Sequence, residues 1–185
     1  MILYLAIIFC AMLAIACATS GYSGDGFGRV FMVTALSTLS VIAVDGITAG
    51  IARLLPKSVA DYTKKIYKVT AKEKKFYERL KIRDWKEKIP ELGHLTGFRK
   101  NKIADPKNIE YVERFLLEIC YGELGHFASL FSGFTILLFY PVSRIWIIIS
   151  IPVAIVNFLL NLPFLCVLRY NSYKLEILRK RYAKK

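Results

Sequence analysis

Four stretches of this chain are too apolar and too poor in charge to be left in water: 1–18, 30–55, 115–140 and 145–168. An α-helix rises ~1.5 Å per residue, so each stretch is long enough, or just long enough, to cross ~30 Å of hydrocarbon. Inside lipid every backbone N–H and C=O must be satisfied within the segment, which leaves the helix as the natural solution. The chain therefore reads as an all-α membrane protein with about four transmembrane helices in a single membrane domain. A hydrophobic content of 55% agrees with that class. For 1–18 the competing reading is a signal peptide, since Ala16-Cys17-Ala18 looks like a cleavage site. No Lys or Arg precedes the apolar run, which favours a retained helix.

The formal net charge is +13, and most Lys and Arg fall in two blocks, 53–107 and 169–185. A basic excess can signal nucleic acid, but here it flanks membrane spans, so anionic lipid is the simpler partner. The connections 19–29 and 141–144 carry one basic residue each, Arg29 and Arg144. The positive-inside rule then places both termini and the segment 56–110 in the cytoplasm, with 169–185 as a basic tail. Within that segment, 73–88 has helix-forming composition, and Phe76, Leu80, Ile82 and Trp85 give it an apolar stripe. The pattern predicts an amphipathic helix in the membrane interface. Pro90, Gly93 and Gly97 open a loop holding His94 and Arg99, and Asp105-Pro106 reads as the next helix start. Cys10, Cys17, Cys120 and Cys166 all lie in apolar runs, where cysteine behaves as a small hydrophobe.

Ionisable groups in such runs are costly and usually mark a site or pathway. Taking Tyr140 and Ile145 as outer ends of the last two spans, His126 lies about 21 Å inward and Asn161 about 24 Å. Asp45 lies about 22 Å from Val30, so these three are expected to share one layer. Glu118 and Arg169 fall in a deeper one. Around the helix axis Glu123 and His126 are ~60° apart and Glu118 and His126 ~80°, so all three can face one pocket. A histidine beside a carboxylate is the pattern of a general base and its orienter.

Residue spacing argues against other chemistries. Glu123-Leu-Gly-His126 is an E-x-x-H, as in di-iron bundles, but no second copy supplies the further ligands. No metal is expected. The chain has no Walker loop, G-x-S-x-G or H-E-x-x-H. The H-x-x-x-x-D pattern of common glycerolipid acyltransferases is missing too: the fifth residue after His126 is Phe131 and after His94 is Arg99.

Three blocks carry a resemblance. Ile82 through Ile89 is similar to an R-x-W-K-x-K stretch, and Glu118 through His126 to E-x-x-R-A-E-L-x-H. Asn161-Leu162-Pro163 followed by Arg169-Tyr170-Asn171 and Leu175 is similar to N-x-P and Q-R-Y-N-R-P-R-L. In order and spacing the chain resembles the glycosyl-4,4′-diaponeurosporenoate acyltransferase family over roughly residues 75–180. It departs at Tyr121, where that family has Arg, and at Leu168, Ser172 and Tyr173.

The resemblance implies transfer of a fatty acyl group to a hydroxyl of a glycosylated lipid. On that reading His126, Glu123 and Glu118 are the candidate catalytic residues. His126 is the base and Glu123 its orienter, while Glu118 pairs with Arg169. Arg169, Tyr170, Asn171, Asn161, Trp85, Lys86, Arg99 and Asp45 are the candidate substrate-binding residues. Arg169 would stabilise an oxyanion or hold donor phosphate, and Trp85, Lys86 and Arg99 would gather an anionic donor, acyl-CoA or acyl carrier protein. No cofactor is expected beyond those substrates. The alternatives are a non-enzymatic membrane scaffold or lipid-binding accessory protein with a structural Glu-His-Arg cluster, and another membrane transferase such as a methyltransferase.

Overall fold

A computed structural model describes residues 2–90, 103–139 and 144–183. The described elements are helical: α1 (Ile2–Ser23), α2 (Phe27–Leu54), α3 (Ala71–Arg79), α4 (Ile82–Trp85), α5 (Ile109–Ser132) and α6 (Arg144–Tyr182), with short 3-10 turns between some of them. The chain folds as two compact units, each assembled from two stretches. One comprises Met1–Ile51 and Gly125–Leu162, the other Ala52–Leu124 and Pro163–Lys185.

Among the described residues, three helices are long and apolar enough to cross a membrane: α1, α2 and α6. Apolar helices of that kind make this a membrane protein. The stretch expected to span at 115–140 folds as the end of α5 and a 3-10 helix, Gly133–Leu138. Glu118, Glu123 and His126 keep the most apolar stretch of α5 more polar than those of the other three. The expected turn at 141–144 lies outside the described residues except for Arg144, which opens α6. That helix does not end at Leu168. It continues through the basic tail to Tyr182, so 39 residues form one helix despite Pro152 and Pro163.

In the first unit, Ala16, Val30, Val41, Ile136, Ile145, Ile149 and Val153 form the core. Many large apolar side chains point away from it, among them Leu36, Leu39, Ile42, Ile151, Ile155 and Leu159. A water-soluble unit would hide such a surface; a lipid-facing one has no reason to. Helix association in lipid relies on close packing and hydrogen bonds, because tails are as apolar as leucine. Both devices are present. Ser37 and Ser150 share a buried hydroxyl–hydroxyl bond of 3.2 Å, and the Trp146 indole donates to the Ile136 carbonyl at 3.0 Å.

Among its described residues the second unit holds three small cores. Val69, Tyr77, Ile82, Ile89, Val167 and Tyr170 pack in one; Val112, Phe115, Leu116, Ile119 and Leu175 in another; Ala60, Tyr67 and Cys120 in a third. At Gly122 a Cβ would come within 3.0 Å of the Leu168 side chain, so the glycine lets α5 and α6 approach there. The amphipathic helix expected over 73–88 is broken. Thr70 caps α3, accepting from the Glu73 amide at 3.1 Å, and Lys81, left-handed at φ 52°, turns the chain into α4. The break redirects the apolar stripe: Ile82 becomes buried while Phe76 and Leu80 stay exposed. Helix α5 starts four residues later than Asp105, with Asn108 Oδ1 capping the Tyr111 amide at 3.1 Å. Asn108 offers the side-chain acceptor that an N-cap needs.

Candidate active site

The expected site residues divide between the two units. In the first unit, His126 on α5, Asp45 on α2 and Asn161 on α6 meet, as their shared depth suggested. His126 Nδ1 lies 2.9 Å from Asn161 Oδ1, and Asn161 Nδ2 donates to Asp45 Oδ2 at 3.0 Å. Asn161 Nδ2 also faces the Asn157 backbone carbonyl at 3.1 Å and its side-chain oxygen at 3.0 Å. Ser132 donates to Asp45 Oδ1 at 2.8 Å, and Asn157 Nδ2 donates to the Ser129 carbonyl at 3.0 Å and to Asp45 Oδ1 at 3.4 Å. Gly133 makes room for this arrangement: a Cβ there would sit 2.9 Å from Asn157 Nδ2.

Sequence reasoning missed Ser132 and Asn157. Asn157 carried a signal, since it stands four residues before Asn161 and so on the same helical face. Ser132 carried none, because its partner Asp45 is 87 positions away.

In the second unit, Arg169 on α6 is the centre. Its Nε and Nη2 engage the two oxygens of Glu73, the latter at 3.1 Å. Its Nη1 donates to Glu123 Oε2 at 2.9 Å and to the Ile66 carbonyl at 3.0 Å. At least four of its five N–H bonds are thus committed within the protein. Tyr77 donates to Glu73 Oε1 at 2.6 Å. Burial raises the Glu73 pKa, but bonds from Arg169 and Tyr77 outweigh it and hold the carboxyl below its ordinary value. Glu73 is the partner that the sequence reading overlooked. Thr70-x-x-Glu73 is a capping-box spacing and was legible, but nothing local announced the bond to Arg169.

Two expected pairings differ. Glu118 pairs not with Arg169 but with Arg53, at 2.9 Å. Arg169 already faces two carboxylates, and Arg53 at the end of α2 is the cation within reach. Glu123, expected to orient His126, is buried against Arg169 instead, and its Oε1 has no hydrogen-bond partner among the described residues. The group at His126 Nδ1 is an amide, with a carboxylate one bond further on.

The remaining described candidates are all in the second unit. Trp85 packs in the core around Tyr170 and donates to the Leu80 carbonyl at 2.8 Å. Lys86 Nζ lies 3.5 Å from Asn171 Oδ1. Tyr170 is buried beneath Lys174, whose ammonium stands 4.4 Å from the ring centre. Arg99 and His94 lie outside the described residues.

A family model, glycosyl-4,4′-diaponeurosporenoate acyltransferase, matches residues 60–181. The chain belongs to this family. The match takes in α3 to α6 and with them Glu73, Glu118, Glu123, His126, Asn161 and Arg169. As a member of the diaponeurosporenoate acyltransferase family the protein is an enzyme, and the scaffold and methyltransferase alternatives give way. No curated protein and no solved structure matches the chain.

Proposed function

We propose that this acyltransferase moves a fatty acyl group from a thioester, acyl-CoA or acyl carrier protein, to a hydroxyl of a glycosylated lipid, with His126 as general base. The imidazole takes the hydroxyl proton as the oxygen attacks the thioester carbonyl. The carbonyl then re-forms, the C–S bond breaks, and the thiolate leaves with the proton from the imidazolium. An ester and a free thiol result, with no cofactor consumed. The observation that carries this reading is the 2.9 Å bond between His126 Nδ1 and Asn161, which fixes the orientation of the ring.

In this reading Arg169 is a strut rather than an oxyanion donor, because Glu73, Glu123 and the Ile66 carbonyl occupy it. Drawing in an anionic donor falls to the cytoplasmic basic residues, among them Lys86 and Arg99, with Trp85, Tyr170 and Asn171 beside Lys86. Helix α5 serves as the fourth crossing, and the basic segment and tail keep both termini in the cytoplasm.

The test is transfer from radiolabelled acyl-CoA, and separately from acyl carrier protein, to glycolipid acceptors by the purified protein in vesicles. Labelled ester with release of one thiol per ester is expected. Transfer from lipid acyl esters alone, with neither thioester consumed, would overturn the donor assignment.

A further inference from the structure

Asn161 cannot be read in either orientation. Its amide nitrogen faces the Asp45 carboxylate at 3.0 Å and the Asn157 backbone carbonyl at 3.1 Å. Both groups only accept, so the end facing them must be the NH2. The amide oxygen therefore faces His126 Nδ1 at 2.9 Å. An amide oxygen also only accepts, so Nδ1 must carry the hydrogen.

Asp45 is itself held in place. Ser132 and Asn157 donate to its Oδ1 and Asn161 to its Oδ2, and Asn157 is anchored in turn by the Ser129 carbonyl. Three helices, α2, α5 and α6, supply the members, so the hydrogen-bond direction is set by tertiary structure and not by any one helix.

We infer that Asn161 and Asp45 are positioning residues that hold neutral His126 as its Nδ1–H tautomer and so make Nε2 the proton-accepting atom. This reassigns both from substrate contact to the support of the base. It rests on the reading of His126 as the base, but the tautomer has a readout of its own. Asp45 does at one remove what a carboxylate does directly in many general-base sites: it dictates which imidazole nitrogen keeps its proton. The intervening amide passes on direction without passing on charge, because Asn161 itself neither gains nor loses a proton.

The protein has two histidines, so His94→Gln leaves His126 alone for imidazole nitrogen-15 spectroscopy of the full chain in detergent. In that background neutral His126 is expected to show a protonated Nδ1 and an unprotonated Nε2. Asn161→Leu removes the acceptor at Nδ1 and should abolish the preference. Its kcat should fall on the order of 10²-fold with little change in KM, the size of a general-base contribution. Asn161→Asp combined with Asp45→Asn keeps an acceptor at Nδ1 with an amide donor behind it, and should restore the tautomer and most of kcat. Asp45→Ala should produce a mixed tautomer signal.

A protonated Nε2 in the unsubstituted site overturns the inference, and so does an unchanged tautomer in Asn161→Leu. Should Asn161→Leu fail to fold, the spectra of the unsubstituted site and of the Asn161→Asp, Asp45→Asn double variant decide the matter alone. A correct tautomer in a protein whose turnover survives His126→Ala would support the hydrogen-bond reading while removing His126 as base, so the two failures are distinguishable.

Discussion

Arg169 meets Glu73 side-on, with Nε on one carboxylate oxygen and Nη2 on the other at 3.1 Å. A bidentate pair of this kind needs the planar guanidinium fork, which lysine lacks. Because Nη1 also holds Glu123, whose side chain is only 5% exposed, one cation neutralises two carboxylates. Arg169→Leu is expected to destabilise the protein by ~3–5 kcal/mol, the usual cost of leaving buried charge without its partner. Arg169→Lys should recover only part of that. Thermal unfolding in detergent checks both; a lysine variant as stable as the parent would deny the fork its role.

Acid should weaken this network in a predictable direction. The Glu73 carboxyl is held below its ordinary value of 4.5. A carboxyl with a lowered folded-state pKa contributes stability that is fully present above the unfolded value. That contribution is lost as pH falls through the folded one. The melting temperature should therefore drop as pH falls below 4.5, and Glu73→Gln should start lower and show a shallower drop. An identical acid profile for both proteins contradicts the assignment.

Gly133 lies against Asn157, with room for no more than a hydrogen: a Cβ would stand 2.9 Å from Nδ2 and 3.4 Å from the Asn157 Cβ. Gly133→Ala should push the Asn157 amide off Asp45 and Ser129. A cost of ~1–3 kcal/mol is expected for overpacking. Turnover should fall further than the stability loss explains, because the displaced amide faces Asn161. Activity measured well below the melting temperature separates the two effects.

Thr70 caps α3 by accepting from the Glu73 amide at 3.1 Å. Thr70→Ala should cost ~1 kcal/mol, and Thr70→Ser much less. Since the same Glu73 carries Arg169, the alanine variant combined with Glu73→Gln should cost less than the two losses added, as neighbours in one network do. Strict additivity would separate the cap from the ion-pair network.

The membrane class and the meeting of His126, Asn161 and Asp45 were legible in the sequence for one reason. Helical rise is fixed, so counting residues along apolar runs gives depth, and depth brought these three side chains into one layer. Counting does not give rotation about each axis or the direction of a hydrogen bond. Glu123 was accordingly expected beside His126 on a shared helix face, whereas it is buried against Arg169. Glu118 and Arg169 were matched by depth, yet Arg53 sits closer to Glu118 and Glu73 occupies Arg169. The broken helix at 80–82 turns on one left-handed residue, Lys81, whose side chain gives no local warning. The last span was bounded at Leu168 with 169–185 as a basic tail, and α6 runs on through most of that tail, because charge marks the end of the apolar part and not of the helix.

The most direct measurement is acyl transfer to a glycolipid acceptor by His126→Ala, with folding verified by its melting temperature. A general base at His126 predicts that turnover collapses by on the order of 10²-fold or more while the protein still folds. Turnover equal to the parent's in a folded His126→Ala protein would contradict it.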